Sequence, residues 1–294
     1  MKNARLIKID LLLLLLLLLL LIVFLVAPFT FLKPTVIEQK LGSSTTKMLE
    51  KVRVNKVWEK PLHDVFLPDF AAVREVKIKK KMFFDFMRPA VVRQNNALLA
   101  TRVKLNKWLE QVSLELPLSE QEYQALTVLV RRYRVNKNAS PLSQLNELLV
   151  RVDVVPMSLV LVQAANESAW GTSRFSRIGL NFFGIWCYQK GCGMVPGSRD
   201  TDAKHEVAAF KSLDAAVAHY FYNINSHNAY RVFRTIRLEL RSHDQPLNPE
   251  VLATGLLPYS ERGADYVLDI TRMLRQNQQY LIEENTRLNR VTGD

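Results

Sequence analysis

Pro156 opens a stretch, PMSLVLVQAANESAWG, whose first dozen residues are apolar nearly all round. Proline suits the first turn of a helix, where its missing N–H costs nothing. A helix without a polar face has to be enclosed by other elements, so the chain must build its fold around this segment. Composition permits that: of 294 residues 48% are apolar and 23% charged, enough for one good core plus appendages and unlike a disordered chain.

Glu167 arrives near the end of this enclosed helix, with Val160 and Ala164 on its own face, Trp170 one turn on and Gly171 as the stop. Burial strips water from the carboxylate and the helix C-terminus presents partial negative charge; both disfavour ionisation and push the pKa up. A carboxylic acid still protonated near neutral pH is what a glycosidase needs to protonate a leaving sugar oxygen. A helical Glu is ordinarily a plain solvent-facing residue. The apolar approach, Trp170 and the run Asn181-Phe182-Phe183-Gly184-Ile185-Trp186 argue against that here. Flat apolar faces stack on sugar rings, so Phe183 and Trp186 either line a saccharide groove or belong to the core.

Gln163-Ala164-Ala165-Asn166-Glu167-Ser168-Ala169-Trp170-Gly171, followed by Asn181-Phe182-Phe183-Gly184-Ile185, resembles the signature of the bacterial endo-β-N-acetylglucosaminidase family. Phe210-Lys211-Ser212-Leu213-Asp214 through Tyr220, then Asn228-Ala229-Tyr230, Tyr259 and Tyr266 are similar to its later landmarks. From about residue 80 onward the likeness is greatest to the Bax group of Gram-negative bacteria within that family. The resemblance implies a mainly α, lysozyme-like (α+β) fold, peptidoglycan as substrate, Glu167 as general acid, no cofactor, and Tyr259 at the substrate. It also points to Glu206 as the second carboxylate, at about the family's separation from the first. The chain departs from the family at Asn166 before the Glu and in a Cys-containing insert after Trp186; the insert leaves Asp200 and Asp202 open as alternatives to Glu206.

The rest of the chain divides at recognisable places. Lys2, Arg5 and Lys8, with Asp10, precede Leu11 to Leu21, and from Leu11 no charge appears until Lys33. Residues 11–32 would span about 33 Å as a helix, enough to cross a hydrocarbon core. The poor Leu25-Val26-Ala27 cleavage site favours an uncleaved anchor over a signal peptide, and the basic flank places everything after residue 32 in the periplasm. Residues 33–107 carry seventeen Lys or Arg against seven Asp or Glu, +10 of the chain's +12. The counter-charge for an exported basic segment is anionic phospholipid or wall-peptide carboxylate, not nucleic acid, unless the segment is simply a solvated helix. Within it, Phe84, Val91, Leu98, Leu105 and Val112 fall seven apart, predicting one long amphipathic helix, bent at Pro89. Ser119 with Glu122, and Ser140 with Pro141, mark two further helix starts. The expected organisation is therefore an anchor (1–32), a basic tether and helical stalk (33–115), a catalytic helical body (116–285) and a tail (286–294).

After Trp186 the glycines at 191, 193 and 197 with Pro196 and the Thr201 to Ala209 run predict a small β-hairpin lobe. It holds Cys187 and Cys192, which an oxidising compartment would join into a short loop. The histidines show no metal-ligand spacing, so no metal is expected.

Together with these observations the resemblance leads to the expectation of a hydrolase anchored in the inner membrane that cuts peptidoglycan glycan strands after N-acetylglucosamine. Glu167 protonates the departing oxygen, Glu206 activates water, and Trp170, Phe183, Trp186 and Tyr259 hold substrate. A carboxyl separation of about 5 Å would mean retention and roughly 6.5–9.5 Å inversion, while the substrate's own N-acetyl oxygen offers a third route. Two other readings stay open: a lytic transglycosylase, which yields an anhydro sugar, and a catalytically silent glycan-binding tether.

Overall fold

The computed structural model describes residues 60–196 and 205–281. The leucine run, the tether up to residue 59, Asp200 and Asp202, and the tail 286–294 lie outside them. Among the described residues no helix is long and apolar enough to cross a membrane.

The architecture is mainly helical. Helix α1 spans Val76–Ser113, α2 Glu120–Arg132, α3 Pro141–Arg151, α4 Met157–Glu167 and α5 Arg174–Gly179. Three short strands follow, β1 (Trp186–Cys187), β2 (Gly193–Met194) and β3 (Glu206–Ala208). Helices α6 (Leu213–Ser226), α7 (Arg231–Ser242), α8 (Pro249–Ala253), α9 (Ala264–Gln276) and α10 (Gln278–Leu281) complete the body, with single 3₁₀ segments at Asn228–Tyr230 and Thr254–Tyr259.

The predicted helix starts take the chemistry expected of them. Ser119 and Glu122 form a reciprocal capping box, the Glu122 N–H donating to the serine hydroxyl and the Ser119 N–H donating to the glutamate. Ser140 accepts the Ser143 N–H one residue before Pro141. The seven-residue stripe of α1 is also real: Phe84, Val91, Leu98 and Leu105 are buried, joined by Phe83, Met87, Ala90 and Trp108, and the helix runs on through Pro89. Each large side chain on that stripe contributes about 1.5–3 kcal/mol by leaving water.

That burial places the stripe against the other helices of the body. Helix α1 packs on α3, α4 and α6, and the described residues form one compact unit. What reads as a stalk ahead of the catalytic body is a central member of it. The extended segment before α1 is docked as well: Leu62 N–H donates to the Ile178 carbonyl, His63 Nε2 meets the Arg177 carbonyl at 3.1 Å, and Phe70 is 1% exposed.

The lobe is a three-stranded antiparallel sheet ordered β1-β3-β2, not a simple hairpin, pairing Trp186 with Val207, Cys187 with Glu206 and Met194 with Val207. Ile178, Met194 and Val207 give it a small apolar cluster of its own. Elsewhere the body is locked by a buried charge group that no sequence pattern announces. Arg237, 1% exposed, donates to four carbonyls at the end of α3 and just beyond it, from Val150 to Val154. Asp153 beside it binds Arg241 through two 2.8 Å hydrogen bonds and faces Arg102 at 3.4 Å.

Candidate active site

Helix α4 is enclosed as its composition requires: every residue from Leu159 to Ala165 is buried, and Glu167 ends it. The turn that follows is held in a demanding conformation. Ala169, Trp170 and Gly171 have φ of 49°, 59° and 77°, three left-handed residues in succession. Each non-glycine in that region costs about 1–2 kcal/mol, so the surroundings must impose it. Buried Ser168 does so from within, donating to the Ala164 carbonyl at 2.6 Å and accepting the Gly171 N–H at 2.8 Å. Phe70 does so from outside: a Cβ on Gly171 would lie 2.4 Å from its ring.

The Asn181–Ile185 loop is organised by one side chain. Asn181 is buried; its amide donates to the Ile185 and Ala208 carbonyls at 2.8 and 2.9 Å, and its oxygen accepts the Phe183 and Ile185 N–H groups. The amide thus closes the loop on itself and ties it to β3. At the exposed crest stands Gly184, φ +64°, where a Cβ would sit 3.5 Å from Glu167 Oε2. Bare backbone therefore faces the carboxylate, leaving room for a substrate.

Burial is the strongest influence on Glu167 and raises its pKa. Hydrogen bonds from Tyr266 and Asn166 and the charge of Arg262 recover part of the shift without cancelling it. Around it stand four tyrosines, Tyr220, Tyr230, Tyr259 and Tyr266, whose hydroxyls burial raises, that of Tyr230 to about 12. All four are neutral donors at any working pH. Tyr259 stacks on Tyr266 with centroids 5.5 Å apart and donates to the Phe183 carbonyl at 2.8 Å.

The residues singled out from the sequence separate here. Glu167, Gly184 and the tyrosines come together, with half-buried Tyr259 supporting both Tyr266 and the glycine loop. Trp186 is 46% exposed on β1, two residues beyond Gly184, with its ring edge-on to His205. It is available to a sugar face. Phe183 is not: it is 1% exposed and stacked on Tyr220 at 4.3 Å, part of the core. Trp170 meets Phe83 and Phe84 edge-on with the Lys80 ammonium 5.2 Å over its ring, fixing α4 to α1. Glu206 is buried, and its two oxygens accept the Gly191 and Gly193 N–H groups at 3.0 and 2.9 Å. Its carboxylate holds the loop that the Cys187–Cys192 disulfide closes. Sequence reading gave no role to Gln163 or to the Asn181 amide. The Asn ahead of a glycine loop was the available signal for the second; nothing local pointed to the first.

Comparison with known proteins gives the family. Residues 143–279 match a family model described as Glucosaminidase, mannosyl-glycoprotein endo-beta-N-acetylglucosaminidase. The chain is also similar to Protein bax of Escherichia coli (strain K12), 32% identical over 216 residues, which is 73% of this chain and 76% of that one. The chain belongs to the Bax/glucosaminidase family. No solved structure matches it significantly. As a family member it is a glycosidase-like protein, and the matched segment contains Glu167, Gly184 and all four tyrosines while beginning well after α1.

Proposed function

We propose that the chain is a β-N-acetylglucosaminidase of lysozyme-like fold that cleaves peptidoglycan glycan strands after N-acetylglucosamine, with Glu167 as the general acid. The observation that carries this is the setting of Glu167. It is a carboxyl group raised by burial at the end of an apolar helix, facing a glycine crest that leaves space for a glycosidic oxygen. Trp186 supplies an exposed ring for a neighbouring sugar. Because Glu206 is occupied in holding the disulfide loop, we assign it to shaping the lobe. Attack at the anomeric carbon then falls to the substrate's acetamido oxygen or to water activated by Asp200 or Asp202. The leucine run anchors the chain in the inner membrane with the hydrolase in the periplasm.

The test is digestion of purified sacculi by the chain and by Glu167→Gln, with product masses. Release of reducing-end fragments, reduced at least about a hundredfold by the substitution, supports the assignment. Anhydro products would make it a transglycosylase, and full activity of a folded Glu167→Gln protein would remove Glu167 as the acid. Glu206→Gln should cost less than about tenfold; a loss equal to that of Glu167→Gln would restore Glu206 as a catalytic partner.

A further inference from the structure

Behind Glu167 lies a chain of side chains that the proton-donor reading does not use. Gln163, one turn before Glu167 on α4, is buried, and both ends of its amide are engaged. Nε2 donates to the Tyr266 hydroxyl at 2.9 Å, and Oε1 accepts the Tyr220 hydroxyl at 2.5 Å. Tyr220 and Tyr266 are each 1% exposed, so no solvent competes for these groups. A tyrosine has one proton to give. Since the Tyr266 oxygen already accepts from Gln163, its own proton is left free for Glu167, its electrostatic neighbour. The hydrogen bonds run in one direction, Tyr220 to Gln163 to Tyr266, and end beside Glu167.

We propose that Gln163 and Tyr220 are positioning residues for Glu167: together they hold the Tyr266 hydroxyl with its proton turned toward the carboxylate. This rests on the assignment of Glu167 as the acid and adds what sets its orientation. The direction of the amide is the deciding element. Were Gln163 turned over, its oxygen would face Tyr266 and take the proton that Glu167 receives. In the observed arrangement Tyr220 donates to the amide oxygen, which leaves the amide nitrogen facing Tyr266, and Phe183 stacked on its ring holds Tyr220 in place. The reach of the network explains why residues 103 and 57 positions from Gln163 in sequence share one site.

The other groups bearing on Glu167 are Asn166 and Arg262, with Tyr230 and Tyr259 as neutral neighbours. On the elements packed against α4, Glu250 of α8 is paired with Arg275 and Lys80 of α1 lies over Trp170. None of these needs to change in the variants that follow.

Tyr220→Phe removes one oxygen and keeps the ring. In the full-length protein it should lower kcat about tenfold with KM nearly unchanged, and move the alkaline limb of the pH–kcat profile upward by about half a unit or more, because a donor to the ionised carboxylate is lost. Tyr266→Phe should do the same, and the double variant should do no more than either alone, since both break one chain. Gln163→Glu, which accepts from both tyrosines, should shift the limb further. Infrared difference titration of the carboxyl, assigned by its loss in Glu167→Gln, reads the same shift without requiring hydrolysis. Failure of the glycosidase reading would leave that spectroscopic shift intact. A folded Tyr220→Phe protein with an unmoved limb and an unmoved carboxyl band, or additive effects in the double variant, would overturn the positioning role.

Discussion

Replacing Gly171 by alanine tests whether the left-handed turn after Glu167 is imposed by its neighbours. Two costs are separable. A β-carbon at φ +77° carries about 1–2 kcal/mol of backbone strain. The same carbon would lie 2.4 Å from Cδ2 and 2.7 Å from Cε2 of Phe70, so a buried ring must move, adding about 1–3 kcal/mol of overpacking. The sum is about 2–5 kcal/mol. Urea unfolding of a fragment starting at Glu59, followed by tryptophan fluorescence, should show the midpoint falling by about 1–2.5 M at a slope of about 2 kcal/mol per M. The decisive measurement is the cycle with Phe70→Ala, which alone should cost about 3–5 kcal/mol. In that background Gly171→Ala should retain only the backbone strain, giving a coupling of about 1–3 kcal/mol. Equal losses in both backgrounds would show that Phe70 does not press on the turn, and no loss at all would refute the left-handed geometry itself.

Three other outcomes follow from the charges and the disulfide. The folded pKa of Glu167 is raised, so its contribution to stability is fully present below the ordinary Glu value and is lost as pH rises through the folded pKa; Glu167→Gln should therefore raise the unfolding midpoint at pH 8 but not at pH 4, as thermal melts can check. Burial alone would raise the pKa of Asp153, but the Arg241 hydrogen bonds and the charges of Arg237, Arg102 and Arg241 together outweigh it and hold it below its usual value. Its stabilisation is thus present above about pH 4 and lost as pH falls through the depressed value, so Asp153→Asn should cost about 3–5 kcal/mol at neutral pH and flatten the acid side of the stability profile. Reducing the Cys187–Cys192 bond should lower stability by about 2–3 kcal/mol at most, and mass analysis without reductant should find no alkylatable thiol.

What could be read in the sequence, and what could not, follows the range of each signal. The enclosure of α4 and the pressure it puts on Glu167 are written in consecutive apolar residues, and the caps at Ser119 and Ser140 in motifs of four and two residues. Phe183 and Trp170 look like groove residues because an aromatic ring carries the same signal whether it faces a sugar or a phenylalanine. Only placement beside Tyr220, or beside Phe83 and Phe84, decides it. Glu206 holds N–H groups 13 and 15 residues away, a task without local pattern. The stripe on α1 shows that it packs but not on which helices.

Helix α1 also meets the far end of the domain. Phe84 lies 6.2 Å from the Tyr280 ring, and Arg88 donates to the Tyr280 carbonyl at 2.7 Å across 192 residues of chain. At synthesis rates of about 5–20 residues per second, the first of these partners waits about 10–40 s for the last. During that interval Phe83, Phe84 and Met87 have apolar surface and only part of its cover, the condition under which a nascent chain is prone to aggregate. Shortening the chain from either end removes half of the same clasp.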